Sequence, residues 1–301
     1  MKFSKKTCVQ VFAAITFIIL ISLLYLSRFM WDEKNWKSYA VSNNLNLMSN
    51  MTIPKIIHRT WKNNDIPEKW KSSFDHCKAM YPDYKHILWT DEESRKFIEL
   101  EYPTFLQNFD SYWYPIQKAD AIRYFVLYHF GGIYMDLDIG CSTKDISDLL
   151  RYDALIPKTE PIGFSNDMMA CTKNHPFFKQ LIESLGSWNH WYLTPYLTIF
   201  FSTGPMFLNI QFGLYNTKIN LPVYILDPEF YSRESTSYFR HLIGNSWHSW
   251  DASVIMFLWG LLRRLRWIML VFCLYLLWKY RYRLVHLASN STSKHFKWLK
   301  Q

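Results

Sequence analysis

Between Gly131 and Cys141 the chain reads GGIYMDLDIGC, a run that limits the possible folds more than any other. Two adjacent glycines end whatever helix precedes them. Ile133–Asp136 then read as a short apolar strand that delivers two carboxylates, Asp136 and Asp138, with Leu137 between them. Like charges this close repel unless a cation or donors compensate. Extended alternation through the pair turns both carboxylates to one side and Leu137 to the other. That layout suits a hard divalent cation held by oxygen ligands and shared with a diphosphate. The competing reading has both aspartates capping the turn through DIGCSTKD. A lone D-x-D arises easily by chance in 301 residues, so spacing alone leaves the two readings balanced.

The residues upstream supply context. IPKIIHRTW (Ile53–Trp61) reads as a short buried strand, and Pro67 with Glu68 opens a helix to about Met80. YKHILWT (Tyr84–Thr90) is a second strand, and the acidic start of Asp91–Leu100 suits a helix N-terminus. Tyr114–Phe130 holds a further helix, with Ile122, Phe125 and Val126 on its apolar face. This alternation predicts an α/β fold around a mainly parallel sheet. Ligands of such sheets bind beyond the carboxyl ends of the strands, so His58–Trp61 and Asp136–Asp138 are expected along one ligand-facing edge. On the helix entering Gly131, Asp120 and Arg123 stand at i and i+3 and share a face. A surface ion pair is the plain reading. A carboxylate beside a fork of donors also suits gripping sugar hydroxyls and a phosphate.

The formal charge of +9 suggests an anionic partner until it is mapped. Residues 1–28 carry +4, residues 251–301 carry +8, and the stretch between them carries −3. The excess therefore flanks apolar terminal segments, where cations meet lipid headgroups, and nucleic-acid binding loses its main support. Thr7–Leu26 is a charge-free run long enough to span a bilayer as a helix. Lysines precede it and no small-residue cleavage site ends it, which predicts an uncleaved signal anchor with the body of the protein across the membrane. Trp267–Trp278 is shorter, with Arg263, Arg264, Arg266 before it and Lys279, Arg281, Arg283 after it. It reads as a spanning helix if the cations snorkel, or as an interfacial helix. Aromatic residues at 19% suit a membrane-proximal protein. Outside the apolar runs, Cys77, Cys141 and Cys171 allow at most one disulfide, and Asn50 and Asn290 open N-glycosylation sequons.

Taken jointly, I-P-x-I-I-H-x-x-W at residues 53–61, the A-D-x-x-R-Y helix at 119–124, G-G-I-Y-M-D-L-D at 131–138 and T-G-P at 203–205 resemble glycosyltransferase family 32. These are D-x-D sugar-binding transferases with a GT-A fold, a Rossmann-like nucleotide-sugar domain. The resemblance covers roughly residues 52–251, which sets residues 1–28 apart as cytosolic tail and anchor, 29–51 as a stem, and 252–301 as a membrane-associated helix with a basic tail. It implies that Thr60 and Trp61 line the nucleotide pocket, with core packing the competing role for Trp61. Asp120, Arg123 and Tyr124 would hold the transferred sugar, and Gly204 would shape the acceptor side. Asp136 and Asp138 would be catalytic and bind Mn²⁺ or another divalent cation, with His248 a third ligand unless that histidine is structural.

Within the family, the two apolar segments and WHSWD at residues 247–251 resemble the members that transfer mannose from GDP-mannose to inositol phosphorylceramide. That likeness implies a Golgi membrane or endoplasmic reticulum enzyme with a luminal catalytic domain, retention of anomeric configuration, and a regulatory membrane subunit as partner. The alternatives are a family member extending protein N-glycans, a phosphohydrolase with a D-x-D nucleophile, and a non-catalytic membrane scaffold.

Overall fold

The computed structural model describes residues 52–159, 163–215, 221–231, 237–242, 244, 251–257, 260–261 and 275. The expected anchor, the stem, both sequons, His248 and, apart from Tyr275, the 267–278 segment lie outside these residues. The chain divides into two compact units between Trp247 and His248. In the second, residues 251–257 are helical.

The first unit is a mixed α/β fold. Its strands are β1 (Ile56–Thr60), β2 (Lys85–Trp89), β3 (Gly132–Met135), β4 (Ile139–Cys141), β5 (Ala154–Pro157), β6 (Met168–Cys171), β7 (Tyr224–Leu226) and β8 (Phe239–His241). The helices are α1 (Glu68–Met80), α2 (Asp91–Glu101), α3 (Leu106–Asp110), α4 (Pro115–Phe130), α5 (Pro176–Trp188), α6 (Pro195–Ser202), α7 (Pro205–Leu214) and α8 (Pro228–Tyr231). Six strands form one sheet in the order β2-β1-β3-β6-β5-β7, and β4 pairs with β8 in a small antiparallel ribbon. In the large sheet β6 alone runs against its neighbours, so the expected mainly parallel sheet is what forms.

Apolar side chains cover both faces of this sheet. Ile57, Ile133, Met135, Leu155 and Met168 pack on one side. Tyr134, Ile156 and Met169 join Ile122, Phe125 and Phe207 of the helices on the other. Strand alternation therefore turns Tyr134 toward α4, and the residue two places on follows it.

The junction between α4 and β3 explains the two glycines. α4 opens with Pro115 in its first turn and Gln117 accepting from the Tyr114 backbone N–H at 3.0 Å. It ends at Gly131, φ 69°, and Gly132 follows at φ 105°. A Cβ on Gly132 would lie 2.6 Å from the Ile56 carbonyl oxygen, so β1 could not pair so closely with any other residue there. Beside this junction, Trp89 Nε1 donates to His58 Nδ1 at 3.0 Å, which places the His58 proton on Nε2, bonded to the Gly131 carbonyl at 2.9 Å. His58 is fully buried and sits opposite Tyr134 in the register. It is a structural pin, and the ligand-facing end of β1 starts only at Thr60, a correction to the expected His58–Trp61 edge.

Of the three cysteines, Cys77 and Cys141 pair, tying α1 to β4, while Cys171 is free and buried. Among the described residues, one stretch, 195–214, is long and apolar enough to cross a membrane. It comprises α6 and α7, broken at Thr203–Gly204 and nearly half buried in the domain.

Candidate active site

The carboxyl end of β3 does not continue as a strand into the carboxylates. β3 stops at Met135, and the Ile139 N–H donates to the Asp136 carbonyl at 3.0 Å, closing a turn over Asp136–Ile139. The alternation expected through Asp138 is therefore replaced by turn geometry. Leu137 still goes inward, 3% exposed, while Asp136 and Asp138 stay half-buried.

This turn is held from below by Arg59. Its Nη1 donates to the carbonyls of Asp136 at 2.8 Å and Ile139 at 2.9 Å, so one guanidinium grips both ends of the turn. Burial lowers the Arg59 pKa to about 10, against the pull of Tyr134, Asp136 and Asp138, and still leaves it charged at neutral pH. From above, the Leu242 N–H donates to the Asp138 carbonyl at 2.7 Å. Gly244 lies so close that a Cβ there would overlap the Asp138 carboxylate.

Asp120 and Arg123 are buried, with side chains 6% and 3% exposed, so they are not a surface ion pair. Arg123 Nη2 meets Asp120 Oδ1 at 2.8 Å, its Nη1 donates to the Asn166 carbonyl at 2.6 Å, and the same nitrogen stands 3.5 Å from Asp136 Oδ2. Asp120 also accepts from Asn166 Nδ2 and Thr203 Oγ1, both at 3.1 Å. Tyr124 donates to the Thr203 carbonyl at 2.7 Å. Burial raises the Asp120 pKa, opposed by Arg123, Thr203 and Asn166. Burial works against the Arg123 charge, but Asp136, Tyr134 and Asp120 outweigh it and raise its pKa.

Asp136 joins this network to β1. Tyr134 donates to Asp136 Oδ1 at 2.6 Å, and the Tyr134 hydroxyl meets Thr60 Oγ1 at 2.7 Å. Burial, with Asp138 and Asp167 adding repulsion, pushes the Asp136 carboxyl up to about 7 despite Arg123. Burial and then Asp167 raise Asp138 as well. Asp167 in turn accepts from the Tyr231 hydroxyl.

A continuous polar network thus connects Thr60, Asp136, Arg123, Asp120 and Tyr124, with Asp138 beside it on the same turn. Gly204 follows Thr203 and starts α7; a Cβ there would come 2.9 Å from the Ile199 carbonyl. Trp61 stands outside the network: its Nε1 donates to the Asp65 carbonyl at 3.1 Å and its ring meets Trp70 edge-on at 5.2 Å. It is half-buried at the end of β1. Sequence reasoning missed Arg59, Asn166, Asp167 and Thr203. Asn166 and Asp167 arrive in a loop with no periodic signal, whereas Arg59 and Thr203 sat inside the 53–61 and 203–205 motifs without being singled out.

Among the described residues, no group of three or more His, Cys, Asp or Glu side chains forms a ready metal cage. The donor set nonetheless fits a hard divalent cation. Asp136 and Asp138 present carboxylate oxygens, partly exposed, repelling one another and Asp167, and partly offset by Arg123 at 3.5 Å from Asp136 and by Arg59 beneath the turn. A cation held by these two carboxylates would draw its further oxygens from the bound ligand or water.

Residues 67–161 match the model of the glycosyltransferase sugar-binding region containing the DXD motif. Inositol phosphoceramide mannosyltransferase 2 of Schizosaccharomyces pombe is 43% identical over 237 residues, which is 76% of this chain and 68% of that protein. Inositol phosphoceramide mannosyltransferase 1 of the same yeast is 46% identical over 210 residues, 69% of this chain and 65% of that protein. A mannosyl phosphorylinositol ceramide synthase of Saccharomyces cerevisiae is 48% identical over 206 residues, 67% of this chain but 54% of that protein. The match thus spans between about half and two thirds of these relatives' length. The resemblance read in the motifs holds, and the chain belongs to the D-x-D glycosyltransferase family that includes these yeast enzymes.

Proposed function

We propose that the chain is a retaining mannosyltransferase that moves mannose from GDP-mannose to the inositol headgroup of inositol phosphorylceramide. The observation that carries this reading is the buried Asp120–Arg123 pair set against the Asp136–Asp138 turn at the carboxyl end of the sheet. The relatives' names, which specify inositol phosphoceramide and mannose, supply the acceptor and the sugar.

The chemistry divides among the residues. Thr203 and Asn166 hold Asp120 in one orientation, so its remaining lone pairs can accept from sugar hydroxyls without reorganising. Arg123, fixed by Asp120 and the Asn166 carbonyl, presents positive charge beside Asp136, on the side where a diphosphate would gather negative charge. Thr60 and Trp61 line the nucleotide end in this reading. Tyr124 braces the T-G-P turn, whose Gly204 borders the acceptor side. Mn²⁺ or a similar cation, held by Asp136 and Asp138, would neutralise charge on the leaving diphosphate; the expected third ligand, His248, lies outside the described residues. Asp120 is engaged by three donors and is a poor nucleophile, so front-face attack, with a leaving phosphate oxygen taking the acceptor's proton, fits better than a covalent intermediate.

A GT-A-type domain with a luminal site and the Golgi membrane as its location complete the proposal. The Cys77–Cys141 disulfide is in keeping with an oxidising lumen. The test is a transfer assay on the full chain in vesicles containing inositol phosphorylceramide, comparing labelled GDP-mannose with UDP-sugars. Mannosylated lipid from GDP-mannose alone is the expected product. Transfer from a UDP-sugar, or to protein glycans but not to lipid, would overturn the assignment.

A further inference from the structure

From Ser184 to Thr217 no residue is charged, although charged residues make up 20% of the chain. This stretch contains the end of α5, the loop to α6, and both α6 and α7. Its loop presents apolar side chains to solvent in a way the domain's own packing does not explain. Trp191 (44% exposed) stacks on Trp113 (58% exposed) with ring centroids 5.0 Å apart, and Leu193 is 83% exposed. Leu193 also adopts φ 66°, a left-handed conformation that a leucine rarely takes. Next to it on α6, Tyr196 and Phe200 stack at 5.5 Å. An exposed leucine beside paired tryptophans is apolar surface that water does not favour. Tryptophan and tyrosine are the side chains enriched where a bilayer meets water.

We propose that this surface, built from Trp113, Trp191, Leu193, Tyr196 and Phe200, docks into the interfacial layer of a lipid bilayer and seats the sugar site over the headgroups. The inference rests on the lipid-acceptor reading above. Its geometry follows from two helices. Trp113 precedes α4, which carries Asp120 in its second turn, and the Trp191–Leu193 loop precedes α6, which ends at Ser202 and leads to Thr203. Gln117 Nε2 bonds Ser202 Oγ at 2.7 Å, and Thr203 bonds Asp120, so both helices meet at the polar cluster. From Pro195 to Ser202 the helix rises about 10 Å. That is slightly more than the headgroup layer of roughly 5–7 Å on each side of a bilayer. Docking at this surface thus keeps the Asp120 cluster within reach of the headgroups.

The chain outside the structure argues for a bilayer as the occupant. The charge-free Thr7–Leu26 run reads as an anchor and ends shortly before Thr52, the first described residue. Whatever path residues 27–51 take, they cannot let the domain stray more than roughly 90 Å from that run. The surface is neutral, so no acidic partner is favoured, and its depth of aromatic side chains suits lipid rather than a polar protein face.

The experiment uses the full chain with Cys8 and Cys273 changed to Ser and Leu193→Cys carrying an environment-sensitive fluorophore. It is reconstituted in phosphatidylcholine vesicles containing inositol phosphorylceramide, with spin-labelled lipids as quenchers. A label at Glu92→Cys, on α2, is the control. The label at 193 should be blue-shifted and quenched at least twofold, and the label at 92 should not. In parallel, Leu193→Asp should lower transfer to vesicle lipid about tenfold while leaving GDP-mannose hydrolysis unchanged. An unquenched label with full vesicle activity in Leu193→Asp would overturn the inference, as would equal loss of both activities or cross-linking of two chains through residue 193. Quenching at 193 in a protein that transfers mannose to no lipid would uphold the docking surface and defeat the acceptor reading instead.

Discussion

Asp120 and Arg123 serve the fold and the proposed chemistry together, because each is the buried partner that keeps the other's charge compensated. Removing one strands the other in a low-dielectric interior, a loss of about 3–5 kcal/mol. Asp120→Ala and Arg123→Ala should therefore each abolish transfer and lower the melting temperature. The double variant should be little worse in activity than either single, because residues acting as a unit are non-additive, and it should regain part of the stability. Transfer rates and thermal melts of all three variants check this; two singles with near-normal turnover would make the pair purely structural. His58 supports a different prediction. Burial lowers its pKa to about 4 from 6.5, so between those values the unfolded chain binds more protons than the native one. Stability from this group is intact above pH 6.5 and is lost as pH falls toward 4, by about 3 kcal/mol. Asp136, raised to about 7, works in the opposite direction, since the native state takes up its proton first. The comparison that isolates His58 is wild type against His58→Gln in denaturant unfolding at several pH values. The variant should show a shallower fall in stability from pH 6.5 to 4, and identical slopes would remove His58 from the account.

At the scale of elements, the first half of the domain was legible because its signals are local. The acidic start of α2, the proline-led α4 and the apolar run of β3 each announce themselves within a few residues. Gly131–Gly132 could be read as a stop, but the reason for the second glycine, the Ile56 carbonyl 2.6 Å from a would-be Cβ, comes from pairing with a strand far away. Gly132→Ala should thus destabilise the fold by about 2–4 kcal/mol, from the left-handed backbone and the clash together, seen as a lower unfolding midpoint with unchanged metal dependence. The D-x-D geometry was only half legible. Periodicity cannot show that a strand ends at Met135 and a turn begins, because that depends on Arg59 gripping two carbonyls. Likewise Asn166, in the loop before β6, and Thr203, just past α6, reach Asp120 by tertiary packing alone. The cysteine pairing had been left open among three residues; proximity of α1 to β4 decides it. Cys77→Ser should cost about 4 kcal/mol by the chain-entropy estimate for a 64-residue separation, and unfolding under reducing conditions should reproduce that loss in the wild type.

For the whole molecule, charge distribution carries the main message. The +9 total belongs to the ends of the chain, while the middle is slightly acidic, and the buried polar network around Asp120 and Asp136 lies in that middle. The charge-free 184–217 stretch went unnoticed in the sequence because its apolar residues belong partly to a core and partly to a surface, and composition does not separate the two. In the proposed reaction Asp136 and Asp138 hold a divalent cation against the donor diphosphate, beside a sugar grip built from Asp120 and Arg123. Mannose transfer by the full chain in vesicles, measured with and without a chelator and repeated with Asp138→Asn, tests this most directly. Turnover should fall about 10²-fold or more in chelator and be restored by Mn²⁺, with a similar fall in the variant while its fold stays intact. Wild-type turnover in either Asp138→Asn or excess chelator would contradict it.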